Sequence, residues 1–269
     1  GLHATLVLAT LAAVVPVVIL VLTSFKPKND IVSTDVTFLP KHWTAANYRH
    51  VLGNNHHEFL RWLWNSVAVA TLTTLAALFL AATAAYAFSR YRFPGYRPAL
   101  MLFLVVQMFP GAILLVPIYN IILRADLLNS KASLVITYST VAVPFCVWML
   151  KGYFDTIPVA LEEAARIDGL SPFGTFWRIV LPLSLPGLAV TAFYGFITAW
   201  NEVLFATVFM TKGANYTLPI GLRTYVNQFE THYEWLAAGA VLVTIPAILV
   251  FLLAQRYLVS GLTTGGVKG

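Results

Sequence analysis

Leu161–Pro182 reads LEEAARIDGLSPFGTFWRIVLP, a polar passage between two apolar spans. Its residues are suited to make a short helix, stop it and start another. Pro158 fits a first helical position, because its missing N–H costs nothing there and its φ is already helical. Glu162 and Arg166 stand four apart, acid before base, and are placed to pair on one helix face. Gly169 is expected in the left-handed conformation that closes a helix after Asp168. Ser171 and Pro172 read as an N-cap with proline at N1, opening a second helix towards Pro182. Ala164 and Ala165 leave one side of the first helix nearly bare, a smooth side suited to a groove on another protein.

Composition sets the class independently. The chain is 59% hydrophobic and 10% charged, with a mean hydropathy of +0.76; soluble domains carry about 25% charged residues. Six stretches of about 19 to 25 nearly uncharged residues match the length needed to cross a hydrocarbon core of roughly 30 Å. The predicted fold class is all-α, a polytopic membrane bundle of about six transmembrane helices, forming one domain over 1–269. The single cysteine, Cys146, lies in an apolar run and reads as a packing residue. A net charge of +6 is compatible with nucleic acid. The basic residues are nevertheless scattered through loops beside the spans, where lipid head groups and topology account for them; no nucleic-acid partner is expected.

The predicted spans are Ala4–Leu22, Asn65–Phe88, Ala99–Leu123, Ala132–Leu150, Pro186–Phe209 and Trp235–Ala254. The first lacks a small-residue cleavage site, so it reads as a retained helix rather than a signal peptide. The chain opens on Gly1, and a short native N-terminus is expected before it. Phe25–Leu63 is a polar segment. Within it, His56-His57-Glu58 lacks the two histidines one helical turn apart that grip zinc, and no metal site is expected. Trp62 and Trp64 suit an interfacial aromatic belt. Three arginines between Ser89 and Arg97 mark a cytoplasmic turn. The third span carries Gln107, Pro110, Gly111, Pro117 and Asn120; such residues at membrane depth face either a neighbouring helix or a water-filled cavity. Trp200-Asn201-Glu202 interrupts the fifth span. Glu202 reads either as a lining residue of the translocation path, with Trp200 and Asn201, or as a helix-end acid reaching the interface. The tail, 258–269, is too glycine-rich to be expected as helix.

Glu163-Ala164-Ala165, three residues, Gly169, nine residues, Ile179, one residue and Leu181-Pro182 together resemble the EAA loop of permease subunits of ABC importers. The likeness is densest from Leu150 onward and points to carbohydrate importers, in particular the second permease of maltose-type systems. It implies the type I ABC importer permease fold, with 156–185 as a cytoplasmic coupling loop. Glu162, Glu163, Ala164, Ala165, Asp168 and Gly169 would then meet a separate ATPase. Gln107 and Asn120, polar at membrane depth, are substrate-path candidates from their place in the third span; the resemblance also favours Trp200, Asn201 and Glu202 for that path, and a cytoplasmic tail that inserts between two ATPase subunits. The external loop Lys212–Glu234 would reach the binding protein through Asn215, Tyr216, Arg223, Tyr225 and Asn227. The implied partners are a second permease, two ATPase subunits, an extracytoplasmic sugar-binding protein and the bilayer of a prokaryotic plasma membrane. The expected cargo is a maltose, maltodextrin or trehalose-like α-glucoside.

Lysines and arginines number about eight on the proposed inner side and nine on the outer, so orientation rests on the coupling motif. The chain contains no Gly-x-x-x-x-Gly-Lys-[Ser/Thr] to cradle ATP phosphates, and no Gly-x-Ser-x-Gly or zinc motif. No catalytic residues are expected, and ATP with Mg would be bound by the partner ATPase. The alternative is an ion-coupled secondary transporter or channel in which Glu202 is the proton or cation site.

Overall fold

The computed structural model describes residues 2–33, 37–53, 58–226 and 231–265, with the side chains of 258–265 excepted. Among them the regular structure is helical, apart from an isolated bridge between Val226 and Thr231. In chain order come α1 (Leu2–Ser24), α2 (Lys28–Val32), α3 (Ala46–Gly53), α4 (Glu58–Arg90), α5 (Tyr96–Gln107) and α6 (Gly111–Arg124). They are followed by α7 (Lys131–Phe154), α8 (Val159–Ile167), α9 (Pro172–Thr175), a π-helical turn at Phe176–Val180, and α10 (Leu181–Leu183). The chain ends with α11 (Leu185–Trp200), α12 (Leu204–Phe209), a 3₁₀ turn at Gly213–Asn215, α13 (Leu218–Arg223) and α14 (Tyr233–Gly265).

Four helices, α1, α4, α7 and α14, are long and apolar enough to cross a membrane. Two bent pairs bring the number to six when each pair is one crossing. The third span, expected over Ala99–Leu123 with Pro110, Gly111 and Pro117 inside it, bends by 101° between α5 and α6. Its apolar run continues through the break, but Pro110 has no N–H to give a helical ladder and drives its predecessor towards extended backbone. Only short-range bonds remain there: Met108 N to Val105 O at 3.0 Å, Phe109 N to Val106 O at 3.3 Å and Ile113 N to Pro110 O at 3.0 Å. The fifth span, expected from Pro186 to Phe209, is also corrected. It turns by 80° from Pro172–Leu183 into α11, which stops at Trp200. The tail differs from expectation as well, since α14 runs to Gly265. Extending an existing helix by a residue is far easier than nucleating one, so glycines at its far end do not forbid continuation.

The chain divides into two compact units. The first comprises Gly1–Ser66 and Lys212–Ala247. Here α1 is apolar all round and buries only Ser24, as suits a helix surrounded by lipid or protein rather than water. Its end is tied down by Asn47, whose amide donates to the carbonyls of Ser24 at 2.8 Å and Lys26 at 2.9 Å. Trp62, expected in an interfacial belt, is buried instead, while Trp64 is exposed. Its indole N–H donates to Gly213 O at 3.0 Å. Its ring lies so close to Gly221 that a Cβ there would come within 2.2 Å.

The second unit comprises Val67–Thr211 and Ile248–Gly269. Its core packs Ala77, Ala81 and Ala85 of α4 against Ala142, Cys146, Leu150 and Phe154 of α7. Small residues let helix backbones approach closely where lipid removes the usual hydrophobic driving force. Cys146 sits here as a packing residue. Also in this unit, Gly187 of α11 lies so close to α7 that a Cβ there would come 2.6 Å from Tyr153 Cγ.

Candidate functional site

The corner between α7 and α11 is built as its residues dictate. Pro158 stands just before α8 as its N-cap, one position earlier than expected, with φ −59° and ψ 128°. At the other end Gly169 takes φ +88°. Gly169 N bonds to Arg166 O and Leu170 N to Ala165 O, each at 3.0 Å, a pairing that satisfies the last carbonyls of α8. Ser171 then caps α9, its hydroxyl accepting from Gly174 N at 3.1 Å. α9 continues through the π turn to Leu183, before the chain bends at Ser184.

Glu162 and Ala165, three residues apart on α8, share its inward face, and Glu162 is 0% exposed. Arg166, expected as its partner, approaches only to 3.9 Å. The primary partner is Arg90 at the end of α4, whose Nε donates to Glu162 Oε1 at 2.5 Å. Tyr86 OH donates to Oε2 at 2.8 Å. A buried carboxylate needs such neighbours, because losing its hydration is costly unless charge and hydrogen bonds replace it. Arg90 also donates to Ile157 O at 3.0 Å and to Ser89 Oγ at 2.8 Å. Ser89 in turn donates to Asp155 Oδ1 at 2.6 Å, and Lys151 to Asp155 Oδ2 at 2.6 Å. For Asp155, burial pushes the carboxyl upward, but the hydrogen bonds from Lys151 and Ser89 outweigh it and hold the pKa below its usual value. One polar chain thus links the ends of α4 and α7 to α8.

The opposite face of α8 is left uncovered. It carries Glu163, Ala164 and Ile167, with Asp168 beside them. Burial of Ala165 means the bare side is not the expected Ala164–Ala165 pair. Ile167 is 86% exposed, the highest value for a large apolar side chain among the described residues. Sequence reasoning missed Ile167, and it read Arg90 only as a topological charge. A lone arginine ending a span, 72 positions from a glutamate, carries no local spacing signal.

The remaining candidates do not gather in one place. Gln107 borders a cavity together with Tyr194, whereas Asn120 lies uncovered on α6 outside that lining. Trp200 is buried and stacked on Phe196 with ring centroids 5.4 Å apart, and Asn201 is exposed. Glu202 caps α12: its two oxygens accept from Phe205 N at 2.9 Å and Ala206 N at 3.3 Å. In the Lys212–Glu234 loop, the amide of Asn65 ties down the carbonyls of Ala214 and Tyr216 at 3.0 and 2.9 Å. Asn215 and Tyr216 are half-buried, and Arg223 is exposed at the end of α13. Tyr225 lies between Trp62 and Trp235, at 6.3 and 6.1 Å. Burial, followed by the charge of Glu58, pushes its phenol up to about 12. Asn227 lies outside the described residues.

Residues 77–264 match the family model described as "Binding-protein-dependent transport system inner membrane component". The chain is 36% identical over its whole length to the inner membrane ABC transporter permease protein YcjP of Escherichia coli (strain K12), covering 96% of that protein. It is 37% identical to the galactooligosaccharides transport system permease protein GanQ of Bacillus subtilis (strain 168), over 91% of this chain and 87% of the relative. It is 44% identical to the maltose/maltodextrin transport system permease protein MalG of Salmonella typhimurium, over 78% of this chain and 73% of the relative. A crystal structure of a bacterial ABC transporter that imports alginate has a chain of the same fold, with a TM-score of 0.82 at 22% identity over 95% of this chain and 94% of that one. The inward-facing MetNI methionine ABC transporter gives 0.60 at 20% identity, over 75% of this chain and 95% of that one. A helical chain with this corner, this fold and these relatives belongs to the inner membrane components of binding-protein-dependent transport systems.

Proposed function

We propose that this chain is a permease subunit of an ATP-driven oligosaccharide importer, and that α8 is the element through which a separate ATPase moves it. The reading rests on one observation above all. α8 turns a charged and apolar face outward through Glu163, Ala164, Ile167 and Asp168, while its inward face is fixed to α4 by the buried Glu162–Arg90 pair. A helix held this rigidly on one side and left bare on the other is suited to transmit a push. ATP-driven closure of the ATPase would displace α8, and the polar chain through Asp155, Ser89 and Arg90 would carry the displacement into α4 and α7.

A second permease completes the path, and an extracytoplasmic binding protein delivers sugar to the Lys212–Glu234 loop. The names of the maltose/maltodextrin and galacto-oligosaccharide relatives support an oligosaccharide as cargo. An α-glucoside of the maltodextrin or trehalose type is the specific expectation. The ion-coupled alternative needs Glu202 free to bind a proton or cation. Both its oxygens are instead engaged by backbone amides at the start of α12.

The test is copurification and transport. Ile167→Glu places a charge on the outward face without touching the buried pair. It is expected to leave the chain in the membrane with its paired permease, to abolish recovery of the ATPase with it, and to abolish uptake. Full ATPase recovery with normal uptake would remove α8 as the docking element.

A further inference from the structure

The third span breaks between α5 and α6, and a cavity lies beside the break. Counting 1.5 Å per residue from the inner ends of their helices, Gln107 stands about 16 Å above Tyr96, Tyr194 about 14 Å above Leu185 and Pro144 about 15 Å above Phe154. In a hydrocarbon core of roughly 30 Å, all three therefore reach the midplane. They line the same cavity of about 450 Å³, together with Phe109, Gly111 and Thr140. That volume lies within the range of about 300–1,000 Å³ typical of small-molecule sites.

Irregular backbone at this depth is tolerated only where protein or a watery cavity covers it, and discontinuous helices at the midplane are a recurrent way to build a transport site. Most of the cavity wall is apolar, and three residues add the polar groups that a sugar can engage. Gln107 offers an amide that donates and accepts, Thr140 a hydroxyl oxygen that accepts while its proton is given to Thr137 O at 2.7 Å, and Tyr194 a ring with a polar tip. The ring is held by Phe145, with centroids 4.1 Å apart. Charged side chains do not line the cavity, so a neutral polyol is accommodated better than an ion.

We propose that this cavity is the surface on which the subunit touches a passing oligosaccharide, with the face of Tyr194 and the amide of Gln107 as its contacts. The proposal deepens the importer reading and rests on it. Asn120, Trp200, Asn201 and Glu202 are not part of this surface.

The experiment uses the complete importer, with its paired permease, ATPase and binding protein, in proteoliposomes supplied with radiolabelled maltose, maltotriose, trehalose and a galacto-oligosaccharide. ATP-driven uptake of one of these by the wild type establishes the importer; uptake of none overturns the assignment of these sugars as cargo and the proposal with it. With the transported sugar identified, Tyr194→Leu is expected to lower the sugar imported per ATP hydrolysed about tenfold, the effect of losing roughly one contact. Tyr194→Phe restores the ratio. Uptake and hydrolysis falling together, at the wild-type ratio, would mean that Tyr194 merely packs, and would overturn the proposal while leaving the importer intact. Gln107→Cys in a Cys146→Ser background gives an independent readout through a charged methanethiosulfonate reagent. The expected result is modification during turnover that the transported sugar slows. No modification, or a rate indifferent to the sugar, overturns the proposal.

Discussion

Arg90 Nε lies 2.5 Å from Glu162 Oε1, joining two side chains that are 7% and 0% exposed. Removing one member of such a pair leaves an uncompensated buried charge, at a cost of about 3–5 kcal/mol; replacing both with apolar residues is often near neutral. Arg90→Ala is therefore expected to lower the melting temperature of the purified complex sharply, and the double change Arg90→Met with Glu162→Met to recover most of it. If the pair also transmits motion, the recovered double variant should still import less sugar per ATP than the wild type. Equal ratios would reduce the pair to a structural tie.

Gly169 has φ +88°, and a Cβ added there would meet nothing within 4 Å. The cost of substitution is thus purely conformational, about 1–2 kcal/mol for an ordinary residue and less for asparagine. β-Branched residues resist positive φ most strongly. Uptake should fall in the order Gly169→Asn, Gly169→Ala, Gly169→Val, with the valine variant hydrolysing ATP without transport. A flat series in an uptake assay would show that the bend after α8 need not be held.

Gly187 lies against Tyr153 with no space for a methyl group. Gly187→Ala must push α11 away from α7, an overpacking cost of about 1–3 kcal/mol. Pairing it with Tyr153→Ala should restore thermal stability that neither change alone preserves. Additive losses in the double variant would place the strain elsewhere.

Asp155 has its pKa held below the ordinary value despite partial burial, because Lys151 and Ser89 bond its charged form. A carboxyl lowered on folding stabilises the fold above its unfolded pKa of about 3.9, and this contribution fades as pH falls through the lower folded value. The difference in melting temperature between wild type and Asp155→Asn should be constant from pH 6 to 8 and close below about pH 4. A gap that widens in acid would contradict the assignment.

The local grammar of the corner was readable because backbone chemistry alone decides it. Gly169 must reach positive φ and Ser171 must cap, whatever lies nearby. Composition announced a membrane bundle for equally local reasons. Glu162 was different: its spacing to Arg166 suggested a surface pair, but a stronger cation arrives from α4 and pulls it inside. Trp62 was placed at an interface by its proximity to a span, yet a glycine 159 positions away leaves a slot for its ring. Pro110 and Gly111 marked a weak point in the third span, but not a bend of 101°. Hydropathy averages over Phe109, Pro110 and Gly111, and the run is as apolar after the bend as before it. The outward Ile167 left no trace, since one apolar residue in an amphipathic helix reads as core.

The π-helical turn at Phe176–Val180 holds one residue more than an α-helix would over the same rise. A residue inserted into or deleted from the regular helix before this turn, which has no such slack, would rotate everything beyond it by about 100°. Val180, now wholly enclosed, would leave its seat. The nine residues between Gly169 and Ile179 thus act as a length standard. Their number, as much as their chemistry, decides which side of Leu181 and Pro182 meets the bundle, so insertions and deletions there should be rejected more strictly than substitutions.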